Sequence, residues 1–277
     1  MGHPGTPVPA ALTSTVRRWR EEGEPAQPAV RWSRDAWRKH FPDRHAFLDA
    51  LPDRVDRAEA TRHAAHATTP AGAEQAFLAA MIWGYGRVGY GPWRTARVLS
   101  ENPDAPARLA EVALVAREHG GLAAFRDLAS GPLRYLGVAF GTKYLRFVTA
   151  AAGQASAPIL DAVVRRWLAT HTGLRLTIDE WRPASYEKYV ALLTSWSVQL
   201  GLAADTVEEL IFRSAVSQGQ WSESWAGAEE TTGQAQVALL ELERLFDTAD
   251  AGSAREARPH LDELHRLIQR GWTRPQG

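Results

Sequence analysis

The chain has 277 residues, of which 45% are hydrophobic and 23% charged, and its formal net charge is zero. That composition fits an ordinary globular protein with one large core or two modest ones. Cysteine is absent, which excludes disulfides, thiol catalysis, cysteine-held zinc and iron–sulfur clusters. No apolar run approaches the roughly 18–20 residues needed to span a bilayer, so no membrane partner is expected and a cytoplasmic location is.

Residues 1–30 are rich in Pro, Gly and Ala, with one short helix candidate from Leu12 to Arg20. The segment EEGEPAQPAV reads as a linker, so this part is expected to be an arm. The start lacks the basic and apolar regions of a signal peptide. From Trp32 onward apolar residues recur three and four apart in AEQAFLAAMIWGYG, LAEVALVAREHG, LAAFRDLA, DAVVRRWLATHTG, SYEKYVALLTSWSVQLG and DTVEELIFRSAVSQG, the helical period. Several of these segments end in Gly, where a left-handed cap is cheap. Sustained period-two alternation is missing. The fold class predicted is therefore all-α, with a main domain over 31–228 and C-terminal helices within 229–277, around 229–248 and 254–270. His63 and His66, and His260 and His265, are closely spaced but lack a third ligand nearby, so no metal site is expected.

Neutral net charge argues at first against a nucleic-acid partner, but the distribution is uneven. No acid lies between Glu74 and Glu101, where Arg87, Arg94 and Arg97 occur. None lies between Asp127 and Asp161, where Arg134, Lys143 and Arg146 occur. Such gaps suit either a buried apolar segment or a local positive face that a phosphate would meet. In the first gap, WGYGRVGYGP interleaves glycines with Tyr85, Arg87 and Tyr90. It reads as a helix–helix joint, or as a loop whose backbone approaches another body while its side chains insert.

The second gap holds LGVAFGTKYLRF, followed eighteen residues after its lysine by the aspartate of PILDAVVRRWL. Gly137 and Gly141 free the backbone, and Thr142 is positioned to cap a helix beginning at Lys143. Free N–H groups at such a start bind anions; a tight turn within a bundle is the competing reading. Lysine is scarce, with Lys39, Lys143 and Lys188 against 29 arginines. An arginine serves wherever only charge is needed, whereas a lysine shielded from water can act as an amine nucleophile. Asp161 suits an N-cap, or a carboxylate facing Lys143 and stabilising positive charge on a sugar.

These residues resemble the helix-hairpin-helix DNA glycosylases of the 8-oxoguanine glycosylase type. LGVAFGTK stands in the place of the hairpin and lysine, GQASAPILD in that of the loop ending on the aspartate, and the resemblance covers about residues 70–215. The usual Leu-Pro-Gly-Val-Gly hairpin is here one residue longer and lacks its proline. The missing four-cysteine cluster separates the chain from the endonuclease III-like and adenine-glycosylase-like branches, and Lys143 separates it from the aspartate-only alkylbase enzymes.

The resemblance implies a helical bundle with a cleft between two subdomains and a hairpin near 133–153. It also implies base flipping, with no cofactor and no obligate protein partner. Lys143 would attack C1′ to form a Schiff base, Asp161 would support departure of the base, and β-elimination would follow. Tyr85, Arg87 and Tyr90 would hold the duplex. Gly137, Gly141, Thr142 and Arg146 would hold a phosphate, and Phe140, Trp196 and Phe212 would line a base pocket. The partner implied is double-stranded DNA carrying 8-oxoguanine, or a bulky phage-type cytosine such as glucosylated hydroxymethylcytosine, in repair or antiviral defence. A catalytically silent helix-hairpin-helix DNA-binding module and a purely structural helical protein are the alternatives.

Overall fold

A computed structural model describes residues 6–216; the C-terminal helices expected over 229–277, with His260 and His265, lie outside the described residues. The element order is α1 (Ala10–Glu21), β1 (Val30–Arg31), α2 (Arg34–His40), a 3₁₀ turn (Pro42–Arg44), α3 (His45–Ala50), β2 (Arg54–Val55), α4 (Arg57–Ala64), α5 (Pro70–Tyr85), α6 (Gly91–Ser100), α7 (Ala105–Ser130), α8 (Val138–Ala151), α9 (Ala162–Thr172), α10 (Pro183–Leu200) and α11 (Ala204–Val216). The only sheet among the described residues is the antiparallel pair Val30–Val55 and Arg31–Arg54. The chain is all-α. Among the described residues, 6–87 and 92–216 belong to one compact unit, and the turn Val88–Gly91 falls outside it.

The centre of that unit follows from one helix. In α5, twelve residues from Gly72 to Tyr85 are buried, on every side of the helix, and a helix apolar all round must be enclosed by others. Accordingly α4, α7 and α8 pack on it, with α8 also touching α4 and α7. Thr69 starts α5 by accepting the Gly72 N–H, and Pro70 follows at the first helical position, where its missing donor is harmless. A second packing centre is α11, which contacts α1, α9 and α10.

The N-terminal segment is not a loose arm from Thr6 on. Leu12 and Val16 of α1 are buried, and α1 lies on α11. The Thr6 carbonyl accepts the Trp196 indole N–H at 2.9 Å, and Arg20 Nη2 donates to the Leu200 carbonyl at 2.7 Å. Composition alone suggested an arm because α1 buries only Leu12 and Val16. No single helix among the described residues is long and apolar enough to cross a membrane.

Candidate active site

Helix α8 carries the lysine and starts earlier than its glycines suggested. Gly137 is the N-cap residue and the helix runs from Val138, so Lys143 lies more than a turn inside. Thr142 is therefore not a cap: its Oγ1 donates to the Val138 carbonyl at 2.8 Å and accepts the Leu160 N–H at 3.1 Å. Gly141 is a packing residue, since a Cβ there would come within 2.2 Å of the Trp181 ring. That indole is fixed by its N–H bond to the Leu136 carbonyl at 3.1 Å. The close approach of an aromatic ring, rather than of a phosphate, accounts for Gly141.

The loop after α8 returns Asp161 to the lysine because both neighbouring helices grip its backbone. Thr149 Oγ1 accepts the Ala157 N–H at 3.3 Å from the α8 side. On the α10 side, Tyr186 Oη donates to the Pro158 carbonyl and Tyr189 Oη to the Ile159 carbonyl, both at 2.7 Å. Burial pushes both phenols well above their usual range, which keeps them as neutral donors. Beneath the loop, α7 bends at Gly120, whose φ is +78°, and the Gly121 N–H donates to the Ala155 carbonyl at 3.0 Å. A side chain at Gly121 would lie 2.6 Å from the Ala157 nitrogen, so this bend exists to admit the loop. Each buried polar group of the loop named here has a partner.

Asp161 does both things its position allows. Oδ1 caps α9, accepting the Val163 and Val164 N–H groups at 3.0 and 3.1 Å. Oδ2 stands 3.3 Å from Lys143 Nζ. The lysine is 5% exposed and the aspartate 8%. Lys143 Nζ also lies 3.5 Å from the Ala139 carbonyl and 4.9 Å from the centre of the Phe140 ring, close enough for a cation–π attraction. The lysine stem rests on Gly84 of α5, where a Cβ would come within 2.8 Å of its Cδ. The result is an amine and a carboxylate held in a nearly dry niche, with an aromatic ring against the amine.

The remaining residues singled out in the sequence divide. Tyr85 is buried and stacks on Phe140, with centroids 3.9 Å apart and planes 18° from parallel, which brings both beside Lys143. Arg87 is exposed and Tyr90 half-buried, in the turn between α5 and α6. Gly137 is exposed at the start of α8, with nothing near its missing side chain. Trp196 is fully buried, edge-on to Trp167 and bonded to Thr6, and Phe212 is buried on α11.

Arg146 is turned inward, with its side chain only 12% exposed. Its Nη2 meets Asp205 at 2.9 Å and its Nη1 meets Thr61 at 3.3 Å, and burial lowers its pKa, with nearby Arg57 acting in the same direction. Arg146 belongs to a half-buried charge network on α4, α8 and α11, gathered around the buried Glu208. There Arg57 Nη1 and Nη2 reach Glu208 Oε2 at 3.2 and 3.3 Å, and Arg213 pairs with Glu209 at 2.5 Å. Burial raises Glu208 to about 7, opposed by Arg57 and reinforced by Asp161. Sequence reading missed Gly84, Tyr186, Tyr189 and Glu208. Tyr186 and Tyr189 stand three apart on α10, a spacing indistinguishable from ordinary core.

Fold and niche together define an all-α protein with a lysine–carboxylate couple joining two helices through a pinned loop. The family model described as "Putative 8-oxoguanine DNA glycosylase OGG-like protein" matches residues 23–212, which includes every element from β1 to α10 and most of α11. The chain belongs to this OGG-like family, and membership points to a DNA glycosylase acting on DNA. No curated protein and no solved structure matches the chain.

Proposed function

We propose that the protein is a DNA glycosylase in which Lys143 is the nucleophile and Asp161 the electrostatic partner of the sugar. The observation that carries this is the Lys143 Nζ–Asp161 Oδ2 approach of 3.3 Å between two buried groups. A purely structural bundle has no need of an ion pair whose desolvation is hard to recover. The flipped nucleotide brings C1′ to the niche. Lys143 gives up one ammonium proton as its nitrogen bonds to C1′ and the glycosidic bond breaks, and the electron pair leaves with the base, which takes up that proton. Asp161, its Oδ1 fixed by two amides, faces the positive charge that grows on the sugar without having to reorient. Ring opening leaves a Schiff base to Lys143, from which β-elimination of the 3′ phosphate gives the associated lyase step.

Phe140 and its partner Tyr85 are the aromatic surface nearest the amine, and we assign them the face of the extruded base. The substrate class we assign is an oxidised purine, 8-oxoguanine first, in DNA repair. Glucosylated hydroxymethylcytosine, the substrate expected of an antiviral role, is the competing arm of the test. Duplexes carrying each base are incubated with the protein and borohydride, and the abasic product and covalent adduct are measured. Trapping abolished by Lys143→Gln supports the assignment. Undiminished trapping by that variant refutes it, and an adduct on the modified cytosine alone refutes the oxidised purine.

A further inference from the structure

Four consecutive residues at the end of α5, Trp83 to Gly86, each meet a different neighbour. The Arg57 guanidinium carbon stands 5.0 Å from the centre of the Trp83 ring, and Phe147 meets that indole edge-on with centroids 5.2 Å apart. Gly84 supports the Lys143 stem, and a Cβ there would also come within 3.1 Å of Phe140 Cε1. Tyr85 stacks on Phe140. Gly86 closes the helix, its N–H donating to the Ile82 carbonyl at 2.9 Å, with φ +55°. Glycine is needed there for two reasons. The positive φ disfavours any side chain, and a Cβ would stand 2.5 Å from Val30 Cγ1 and 3.4 Å from the Arg31 carbonyl oxygen. The floor of the lysine niche therefore ends directly against β1.

β1 can act as a stop because it is held from other sides. Val30 is β-branched and so stiff at χ1, and it lies opposite the fully buried Val55 of β2. The Trp32 indole N–H donates to the Pro52 carbonyl at 2.7 Å, and Arg57 Nε donates to Gln27 Oε1 at 2.8 Å. These bonds tie the residues flanking β1 to those flanking β2 at both ends. Two residues per strand give the ribbon little stability of its own; its effect lies in where it sets Val30. On the far side of the niche Asp161 is fixed independently, through two amides of α9. The Nζ–Oδ2 separation of 3.3 Å therefore depends on where the lysine stem rests, which is the end of α5.

We infer that Val30 is a positioning residue for the Lys143–Asp161 couple, acting through Gly86 on the helix end that carries the lysine stem and the Phe140 ring. The inference rests on the glycosylase reading for its reaction and assigns Val30 no contact with substrate. A reacting amine shifted by a fraction of an ångström loses its near-attack geometry. The groups that hold the DNA stay where they are. Loss of Val30 therefore slows the chemical step and leaves affinity alone.

The test is single-turnover base release by the full chain on the modified duplex that wild type processes, read as the rate at saturating protein and the half-saturating concentration. Val30→Ala opens the contact, Val30→Leu reshapes it and Val30→Thr keeps its branched outline. Val16→Ala makes the same truncation on α1, against α11, as a matched control, and circular dichroism establishes folding. Val30→Ala is expected to slow the saturated rate about tenfold, a part of the ~100-fold that a misplacement of about 1 Å costs. Its half-saturating concentration is expected to stay within about twofold of wild type, as a loss confined to the transition state requires. Val30→Thr and Val16→Ala are expected to keep the wild-type rate. Val30→Leu is expected to be slow, and it carries the same test where Val30→Ala does not fold. A wild-type rate in the folded protein overturns the inference, and so does an equal slowing in Val16→Ala; both leave the glycosylase reading standing. Failure of wild type to release base from either duplex overturns that reading, and this inference with it.

Discussion

Removing one member of the Lys143–Asp161 pair and then both is the sharpest probe of the niche. At 3.3 Å, with an effective dielectric near 20, two unit charges attract by ~5 kcal/mol before desolvation is counted. Both side chains are nearly dry, so most of that attraction offsets the loss of water. Asp161→Asn keeps a side-chain oxygen for the Val163 and Val164 amides but leaves the buried ammonium without a counter-charge. Lys143→Met leaves the carboxylate alone, still accepting those two amides. Each single change is expected to destabilise by about 3 kcal/mol, the usual consequence of leaving a buried charge unpaired.

The double variant is expected to be within about 1 kcal/mol of wild type, because an apolar side chain against a capping amide carries no such penalty. Asp161→Ala, which also loses the cap, is expected to fall about 1 kcal/mol below Asp161→Asn. Urea unfolding at constant m-value measures all four. Additivity of the two single effects within about 0.5 kcal/mol would falsify the coupling read from the geometry. Base release should vanish in both single variants, while affinity for undamaged duplex persists in Asp161→Asn.

Four further outcomes follow from other parts of the molecule. Glu208, raised from 4.5 to about 7 in the folded state, holds a proton after folding that it loses in the unfolded chain. Its contribution is therefore complete below pH 4.5 and is lost as pH rises through 7, by about 3 kcal/mol in all. Glu208→Gln should flatten the fall in stability between pH 5 and pH 8 seen in urea titrations, and an unchanged fall would contradict the assignment. Gly141→Ala drives a methyl into an indole that is itself hydrogen-bonded, and a loss of about 1–3 kcal/mol is expected; a neutral change in thermal midpoint counts against that contact. Tyr189→Phe leaves the Ile159 carbonyl unsatisfied in the core, for a loss of about 1–3 kcal/mol and slower base release at saturating DNA, whereas unaltered kinetics would show that the loop needs no such pin. Arg146→Met should leave the salt slope of DNA binding unchanged while lowering stability, and a reduced slope would restore it as a phosphate contact.

Much of this is legible in the sequence. Periodicity identified the helical class, because apolar residues three and four apart leave a strand no face to bury. The absence of cysteine removed whole chemistries, and the rarity of lysine drew attention to Lys143. Asp161 could be read as a cap and as a facing carboxylate, and its two oxygens do both. Local signals failed where distant residues decided. Gly141 and Thr142 look like the end of a turn, yet the helix passes straight through them because Trp181 needs the missing methyl and Leu160 needs the hydroxyl. Arg146 and Arg134 look alike in an acid-free stretch, but α8 turns Arg146 to Asp205, while Arg134, in the turn ahead of that helix, stays exposed. A sequence shows which charges a chain carries, and the tertiary structure decides which are neutralised inside and which remain for a partner. Desolvation and pairing depend on neighbours as far apart in the chain as residues 57 and 208, and no local pattern records them.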